Sequence, residues 1–129
     1  RSAACVVVRR NRALLVWVPF GDEPGWDLPG GWGRQGEAAC QTAEREVCEE
    51  TGLQVRAVKQ VSWNVFQCEL VAEGACRNAA DEGFLGMRWA SLGELGALHL
   101  RGGTWGDKRG LLAQALHAED GLLQTETGL

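Results

Sequence analysis

Residues 31–53 read GWGRQGEAACQTAEREVCEETGL, and the interpretation of the chain rests mainly on these 23 residues. Its second half has helical character and stops at Gly52, a residue suited to the left-handed position that follows a helix. We therefore predict a helix over residues 37–51. At about 100° per residue, Glu50 lies about 40° and Glu49 about 60° from Glu46 around the helix. The sequence thus places three carboxylates on one arc, beside an apolar stripe.

The carboxylate arc is electrostatically unfavourable by itself. Like charges four residues apart destabilise an isolated helix by about 0.2–0.5 kcal/mol per pair. Arg45 is placed to pair with Glu49, but one arginine cannot neutralise three carboxylates. A divalent cation could, and all-oxygen ligands select a hard ion such as Mg²⁺ or Mn²⁺. Taken alone, three glutamates in this pattern are more often a solvated acidic helix face than a metal site.

A Gly- and Pro-rich segment precedes the helix. Residues 20–36 are predicted to form a long loop, and long loops in compact domains are often functional. Within it, Gly30 and Gly31 allow positive φ and a close approach of the backbone. We expect these two glycines to bring backbone carbonyls or substrate phosphates near the carboxylates, although an ordinary glycine-rich turn has the same composition.

The rest of the chain predicts a mixed α/β layer fold. The expected strands are residues 3–8 and 13–18, which form a hairpin, then 55–61, 63–71 and 84–90, with a loop over 72–83. A Ser91–Glu94 capping box predicts a short helix, and a last helix is expected over 108–118, followed by a fraying tail from residue 120. The length of 129 residues favours a single domain over residues 1–129.

Composition narrows the classes of partner. The net charge of −4 argues against a nucleic acid polymer, but a bound cation can bridge an acidic protein to a small phosphorylated substrate. No apolar run approaches the roughly 18 residues of a membrane span, so no membrane contact is expected. The chain begins at Arg1, which leaves open whether it is cut from a longer protein.

The five cysteines predict neither a zinc site nor a disulfide framework. Their number is odd, no CxxC pair occurs, and both histidines lie far from them in the sequence. This usage predicts a reducing cytoplasm.

The fixed positions of the quoted stretch match a family pattern. They are Gly31, Glu37, Arg45, Glu46, Val47, Glu49, Glu50, Gly52 and Leu53. These residues match the Nudix box, Gx5Ex7REUxEExGU with U a bulky aliphatic residue, at every fixed position. The sequence therefore resembles the Nudix hydrolases. The resemblance implies an α/β/α sandwich with a mixed β-sheet, and metal-dependent hydrolysis of a diphosphate linkage in a nucleoside diphosphate-X substrate.

The resemblance also implies roles for the residues of the box. Glu49 and Glu50 match the main metal ligands, and Glu46 matches a further ligand or catalytic carboxylate. Arg45 matches an orienting residue, so Glu46, Arg45 and Glu49 are the expected catalytic group. Gly31 matches a position whose backbone lies at the metal, and Gly30 and Gly31 are expected to contact substrate. Glu37 matches a supporting box glutamate.

Candidates outside the box are less specific. In some Nudix members the general base lies outside it, and Glu82 is the best such candidate here, as base and as a further metal ligand, with Asp81 next. Both are equally typical of solvated loop acids. Arg88 is a candidate phosphate contact, although an exposed strand arginine explains it as simply. Four tryptophans, Trp26, Trp32, Trp63 and Trp105, lie in or near predicted loops or strand starts. One of them could stack on a base, although packing accounts more readily for any single one.

The substrate is narrowed by elimination. The chain has no tyrosine, its three prolines all precede the box, and the downstream motif of the NADH-hydrolysing members is absent. What remains resembles the antimutator nucleoside triphosphate pyrophosphohydrolases. Two alternatives stay open: a Nudix-fold nucleotide sensor without turnover, and a hydrolase of a non-nucleotide diphosphate. A homodimer is also left open.

Overall fold

The computed structural model describes residues 1–21, 23–74, 76 and 86–126, with side chains described up to residue 119. The elements in chain order are β1 (Ser2–Arg9), β2 (Arg12–Val18), β3 (Gly25–Asp27), β4 (Gly30–Trp32), α1 (Ala39–Thr51), β5 (Leu53–Ser62), β6 (Val65–Glu73), β7 (Met87–Ser91), α2 (Leu92–Leu95) and α3 (Lys108–Glu126).

Strand β1 lies at the centre of a mixed sheet. The main path of the sheet runs β3-β2-β1-β6-β5, while β4 pairs with β1 and β7 with β2. The β1–β6 pairing is parallel, and the other pairings between the named strands are antiparallel. The predicted α/β class with a mixed sheet is confirmed.

Alternate residues of β1 face two separate cores, because successive side chains of a strand point to opposite sides of the sheet. On one side, Cys5 and Val7 pack with Val47 of α1. On the other side, Val6 packs with Leu112 of α3. The sheet is therefore covered by α1 on one face and by α3 on the other, which is the expected sandwich.

Helix α1 begins two residues later than predicted. Glu37 stays outside it because a closed turn precedes the helix: the Glu37 amide donates to the Arg34 carbonyl, and the Arg34 amide donates to Glu37 Oε1, both at 3.0 Å. The predicted end is confirmed, since Gly52 takes the left-handed conformation with φ of 75°. The box glutamate thus lies in the entry turn, and its side chain points back toward the helix.

The predicted loop over residues 20–36 is wrong in part, because it contains the short strands β3 and β4. Strand β4 pairs with β1 through Gly31↔Ala3 and Gly30↔Ala4. A Cβ atom on Gly30 would lie 2.5 Å from the Ala3 carbonyl oxygen. Glycine therefore permits this strand pairing, although in the sequence it predicts a loop.

In the C-terminal half, the predicted capping box of Ser91 and Glu94 is confirmed. The Glu94 amide donates to Ser91 Oγ at 3.2 Å, and the Ser91 amide donates to Glu94 Oε1 at 2.8 Å. Strand β7 starts at Met87, whereas the start of the predicted strand, at residues 84 and 85, lies outside the described residues. The predicted tail is wrong over residues 120–126, which continue α3. Within the described residues, no helix has both the length and the apolar character needed to span a membrane.

The prediction that the cysteines form no disulfides is wrong. The structure joins Cys5 to Cys68 and Cys48 to Cys76, with Cα–Cα distances of 5.7 and 5.3 Å, and leaves Cys40 as a thiol. The partners are 63 and 28 positions apart, so no local spacing marks them, and the pairing of β1 with β6 brings the first two together. Cysteine usage therefore no longer supports a reducing compartment.

Candidate active site

Arg45, in the middle of α1, is the centre of a dense polar network. Its Nε and Nη2 donate to the two carboxylate oxygens of Glu37 at 2.7 and 3.0 Å. Its Nη1 donates to Glu49 at 2.9 Å and to Glu46 at 3.1 Å, and Nη2 also donates to the Trp32 carbonyl at 2.8 Å. One guanidinium thus links the entry turn, strand β4 and two of the three predicted carboxylates.

The network keeps its charges over a wide pH range. Hydrogen bonds from the Arg45 side chain, the Arg34 amide and the Thr42 hydroxyl lower the pKa of Glu37 from 4.5 to about 2. In return, the Glu37 hydrogen bond and the nearby charges of Glu46 and Glu49 raise the pKa of Arg45 above its ordinary value. The Glu37–Arg45 pair is therefore a permanently charged support beneath the other carboxylates.

Glu46 and Glu50 are buried against the two glycines of β4. A Cβ atom on Gly31 would lie 2.6 Å from the carboxyl carbon of Glu46 and 2.7 and 2.8 Å from its oxygens. The Gly30 amide donates to Glu50 Oε1 at 3.0 Å. Any side chain at position 31 would displace the Glu46 carboxylate, so the glycine pair permits the close approach that the sequence predicts.

These carboxylates open on a cavity of about 510 Å³. One part of its wall is formed by Gly30, Gly31, Glu46 and Glu50. The other residues that line it are Ser2, Val18, Phe20, Leu28, Trp32, Arg101, Thr104 and Trp105. Carboxylates, an arginine and aromatic rings therefore share one concave surface. This combination is typical of a small-molecule site with a charged and an apolar part.

The wall formed by residues 101–105 is held in place by Asp27, which the sequence analysis missed. Asp27 Oδ1 lies 2.8 Å from Lys108 Nζ, and Oδ2 lies 3.3 Å from Arg101 Nη1 and 3.2 Å from Thr104 Oγ1. Asp27 and Lys108 are both buried. A single aspartate between Trp26 and Leu28 was the available signal, but its partners lie 74 or more positions away in the sequence.

The donor set at the carboxylates fits a hard divalent cation in kind, because the candidate ligands are oxygen atoms only. The cradle that a Cβ at Gly31 would fill also fits a site whose backbone must lie close to the ligands. In the part of the chain that the structure describes, no three His, Cys, Asp or Glu side chains form a group arranged to hold a metal ion.

The structure brings the predicted residues together only in part. Glu46, Glu50, Gly30 and Gly31 share the cavity. Glu49 is instead held by Arg45 and by Arg34, whose Nη2 lies 3.1 Å from Glu49 Oε2.

Of the candidates outside the box, Glu82 and Asp81 lie outside the described residues. Arg88 lies on β7, where it donates to Glu94 at 3.1 Å and sits 6.0 Å from the centre of the Trp26 ring. It does not belong to the cavity lining given above, so we leave it out of the proposed site.

Known proteins share the fold. A putative 8-oxo-dGTP diphosphatase of Bacillus subtilis (strain 168) is 45% identical over 51 residues, which are 40% of this chain and 34% of that relative's length. A Nudix hydrolase structure from Nitrosomonas europaea is 26% identical, covers 74% of each chain and has a TM-score of 0.59. An ADP-ribose pyrophosphatase structure from Streptococcus suis 89-1591 is 24% identical, covers 92% of this chain and 90% of its own, and has a TM-score of 0.67. The family model described as the NUDIX domain matches residues 1–114, and the chain belongs to the Nudix family.

Proposed function

We propose that this chain hydrolyses the diphosphate linkage of a nucleoside diphosphate-X substrate with the help of a divalent cation, Mg²⁺ or Mn²⁺. The observation that carries the proposal is the placement of Glu46 and Glu50 on the wall of a cavity, against the backbone of Gly30 and Gly31. The relatives named for 8-oxo-dGTP and ADP-ribose differ in X but share a nucleoside diphosphate, which supports the same class here.

The buried glutamates and the residues that hold them would have different roles. Glu46 and Glu50 would hold the cation, with Glu49 joining them from the neighbouring position on α1. A bound cation would supply positive charge against the phosphate oxygens and favour ionisation of water at the site. Arg45 holds Glu46 and Glu49 in orientation, while Glu37 keeps Arg45 in place. A carboxylate in this group would accept the proton of the attacking water.

The apolar part of the cavity would receive the nucleoside. Phe20, Leu28 and Trp105 line it together with the carboxylates, so a base and a diphosphate can occupy one continuous space. The acidic net charge does not oppose an anionic substrate, because the cation bridges the two. Nucleoside triphosphates remain within this class and belong in the substrate panel.

The test compares glutamates on one helix. Glu50→Gln and Glu46→Gln should lower metal-dependent release of phosphorylated products by more than the about 10- to 100-fold typical of changes around a metal site's outer shell. Glu44→Gln is the matched control, because Glu44 lies on α1 too, yet its carboxylate accepts from the Ala57 amide at 2.8 Å. Calorimetric titration with Mn²⁺ should show binding to wild type and to Glu44→Gln but weaker binding to Glu50→Gln.

The position of bond cleavage is determined by running the reaction in ¹⁸O-labelled water and analysing the products by mass spectrometry. The label should enter one phosphorylated product, since cleavage occurs between phosphorus atoms. Equal activity in the Glu44, Glu46 and Glu50 variants would refute the site. Tight binding of nucleotides without turnover of any diphosphate, with Mg²⁺ or Mn²⁺ present, would instead identify a sensor.

A further inference from the structure

Three tryptophans surround a second cavity, of about 500 Å³, next to the proposed site. They are Trp32 on β4, Trp63 in the turn between β5 and β6, and Trp105 in the segment before α3. The sheet pairing explains how they meet: Ser2 of β1 pairs with Trp32 on one side, and the Ala4 amide donates to the Asn64 carbonyl on the other. We call this space the tryptophan cavity.

Two of these side chains are exposed to an extent that packing does not explain. Trp32 and Trp63 each leave 76% of their surface accessible. By contrast, Trp17 and Trp26 pack edge to face, with ring centres 5.4 Å apart. Exposed large apolar groups that cluster on one surface mark a binding site more often than they serve stability.

The tryptophan cavity adjoins the carboxylate cavity. Both are lined by Ser2, Trp32, Thr104 and Trp105. Trp32 also follows Gly31 directly, and its carbonyl accepts from Arg45. A ligand whose diphosphate lies at Gly31 and Glu46 therefore has the tryptophan cavity immediately beside it.

Trp105 is held in an unusual backbone conformation between the two cavities. Its φ is +61°, in the left-handed region that bulky residues avoid, and Gly103 and Gly106 beside it are also at positive φ. Lys108 and Thr104, which bind Asp27, fix this segment at both ends. Backbone strain that a structure maintains in this way is characteristic of functional sites.

The polar groups of the tryptophan cavity suit an uncharged ring. Ser62, Asn64 and Thr104 line it with hydroxyl and amide groups, and Arg1 adds a guanidinium, whose planar face can also stack on a ring. No acidic side chain is among the described residues that line it, so nothing there favours a cation. Aromatic faces together with hydroxyl, amide and guanidinium groups are the chemistry that binds a nucleobase.

We propose that the tryptophan cavity binds a second flat ring, carried by the X group of a nucleoside diphosphate-X substrate. The proposal rests on the proposed function and deepens it: the preferred substrate has a planar ring on each side of its diphosphate. It departs from the nucleoside triphosphates that the sequence favours by elimination, because their pyrophosphate end carries no ring.

Two probes that differ by one ring test the proposal. ADP-ribose and diadenosine diphosphate share adenosine, diphosphate and a second ribose, and only the latter carries a second adenine. We expect kcat/KM of wild type to be about tenfold higher for diadenosine diphosphate, mainly through KM, since one stacked base contributes on that order. Trp63→Ala should bring the ratio between the two probes close to one, whereas Trp63→Phe should keep most of it.

A matched control is Val58→Ala. Val58 lies on β5 with 58% of its surface exposed, and it belongs to the lining of neither cavity, so the ratio should stay at the wild-type value. A ratio that Trp63→Ala does not change would overturn the proposal. So would sedimentation showing that Trp63→Ala dissociates a dimer, because a second copy would then cover the patch.

Calorimetric binding of the same two probes separates this proposal from the proposed function. If neither probe is hydrolysed, but diadenosine diphosphate binds more tightly and Trp63→Ala removes the difference, the reaction is refuted and the ring site stands. If both probes are hydrolysed and bound equally well, the reaction stands and the ring site is refuted.

Discussion

Replacing Asp27 tests whether a buried ion pair holds the wall of the carboxylate cavity. The side chains of Asp27 and Lys108 are 3% and 4% exposed, and their charged atoms are 2.8 Å apart. Asp27→Asn keeps the shape but leaves the Lys108 ammonium buried without this carboxylate. Removing one partner of a buried pair costs about 3–5 kcal/mol of unfolding free energy. For a chain of this length we expect the melting temperature to fall by about 10–20 °C.

Replacing Lys108 should lower the free energy of unfolding by less than replacing Asp27. Lys108→Met leaves the Asp27 carboxylate with Arg101 at 3.3 Å, Thr104 at 3.2 Å and the Leu28 amide at 2.8 Å. We expect a loss of roughly 1–3 kcal/mol, the range for one buried interaction. The double variant should lose less unfolding free energy than the sum of the losses in the two single variants. We expect the difference, which is the coupling free energy, to be about 1 kcal/mol or more, because the residues are in direct contact.

Urea unfolding of the single and double variants is the assay, and an exposed ion pair is its control. Arg56 on β5 pairs with Glu69 on β6, and their side chains are 70% and 50% exposed. Arg56→Met should therefore cost no more than about 1 kcal/mol. A loss for Asp27→Asn no larger than this, or strict additivity in the double variant, would refute the role given to the buried pair.

The remaining predictions concern the polar network and the disulfides. Arg45→Lys should lower metal-dependent turnover by about 10- to 100-fold, since lysine cannot reproduce the fork that holds Glu37 and Glu49, and steady-state product release measures this. Because the folded pKa of Glu37 is lowered to about 2, its contribution to stability is fully present above about pH 4.5 and is lost as the pH falls toward 2. The stability difference between wild type and Glu37→Gln, measured by urea unfolding, should therefore shrink over that interval, and a constant difference would contradict the network. Reductant should lower stability by about 4 kcal/mol through the Cys5–Cys68 bond alone, judged from its separation of 63 positions, and should do so equally in a Cys40→Ser control.

Features encoded by neighbouring residues could be predicted from the sequence. The helical period alone places Glu46 and Glu50 on one side of α1, and both line the cavity. The same period places Arg45 and Glu49, which are four residues apart, on one face of the helix, and Arg45 Nη1 lies 2.9 Å from Glu49 Oε1. The predicted end of the helix at Gly52 depends only on the left-handed freedom of one residue.

Features that depend on distant partners could not be predicted. Strands β3 and β4 have three residues each, which is too short for a periodic signal in the sequence. Strand β4 forms because it pairs with β1. The disulfide between Cys5 and Cys68 likewise follows from the pairing of β1 with β6. In both cases the chain supplies no local pattern, because the stabilising partner comes from another part of the sequence.

The segment from Asp27 to Gly31 connects the cavity wall, which depends on distant partners, to the carboxylates of α1, which the local sequence predicts. Asp27 anchors the cavity wall, and Gly31 carries the backbone against which Glu46 lies. Between them, Pro29 is fully buried, has a fixed φ, and its carbonyl accepts from the Cys5 amide at 3.0 Å. Such a segment transmits a displacement rather than absorbing it. A change in this wall should therefore also move the carboxylates of the proposed site, so we expect variants of Asp27 to alter kcat as well as KM in steady-state assays, whereas a change in KM alone would contradict this coupling.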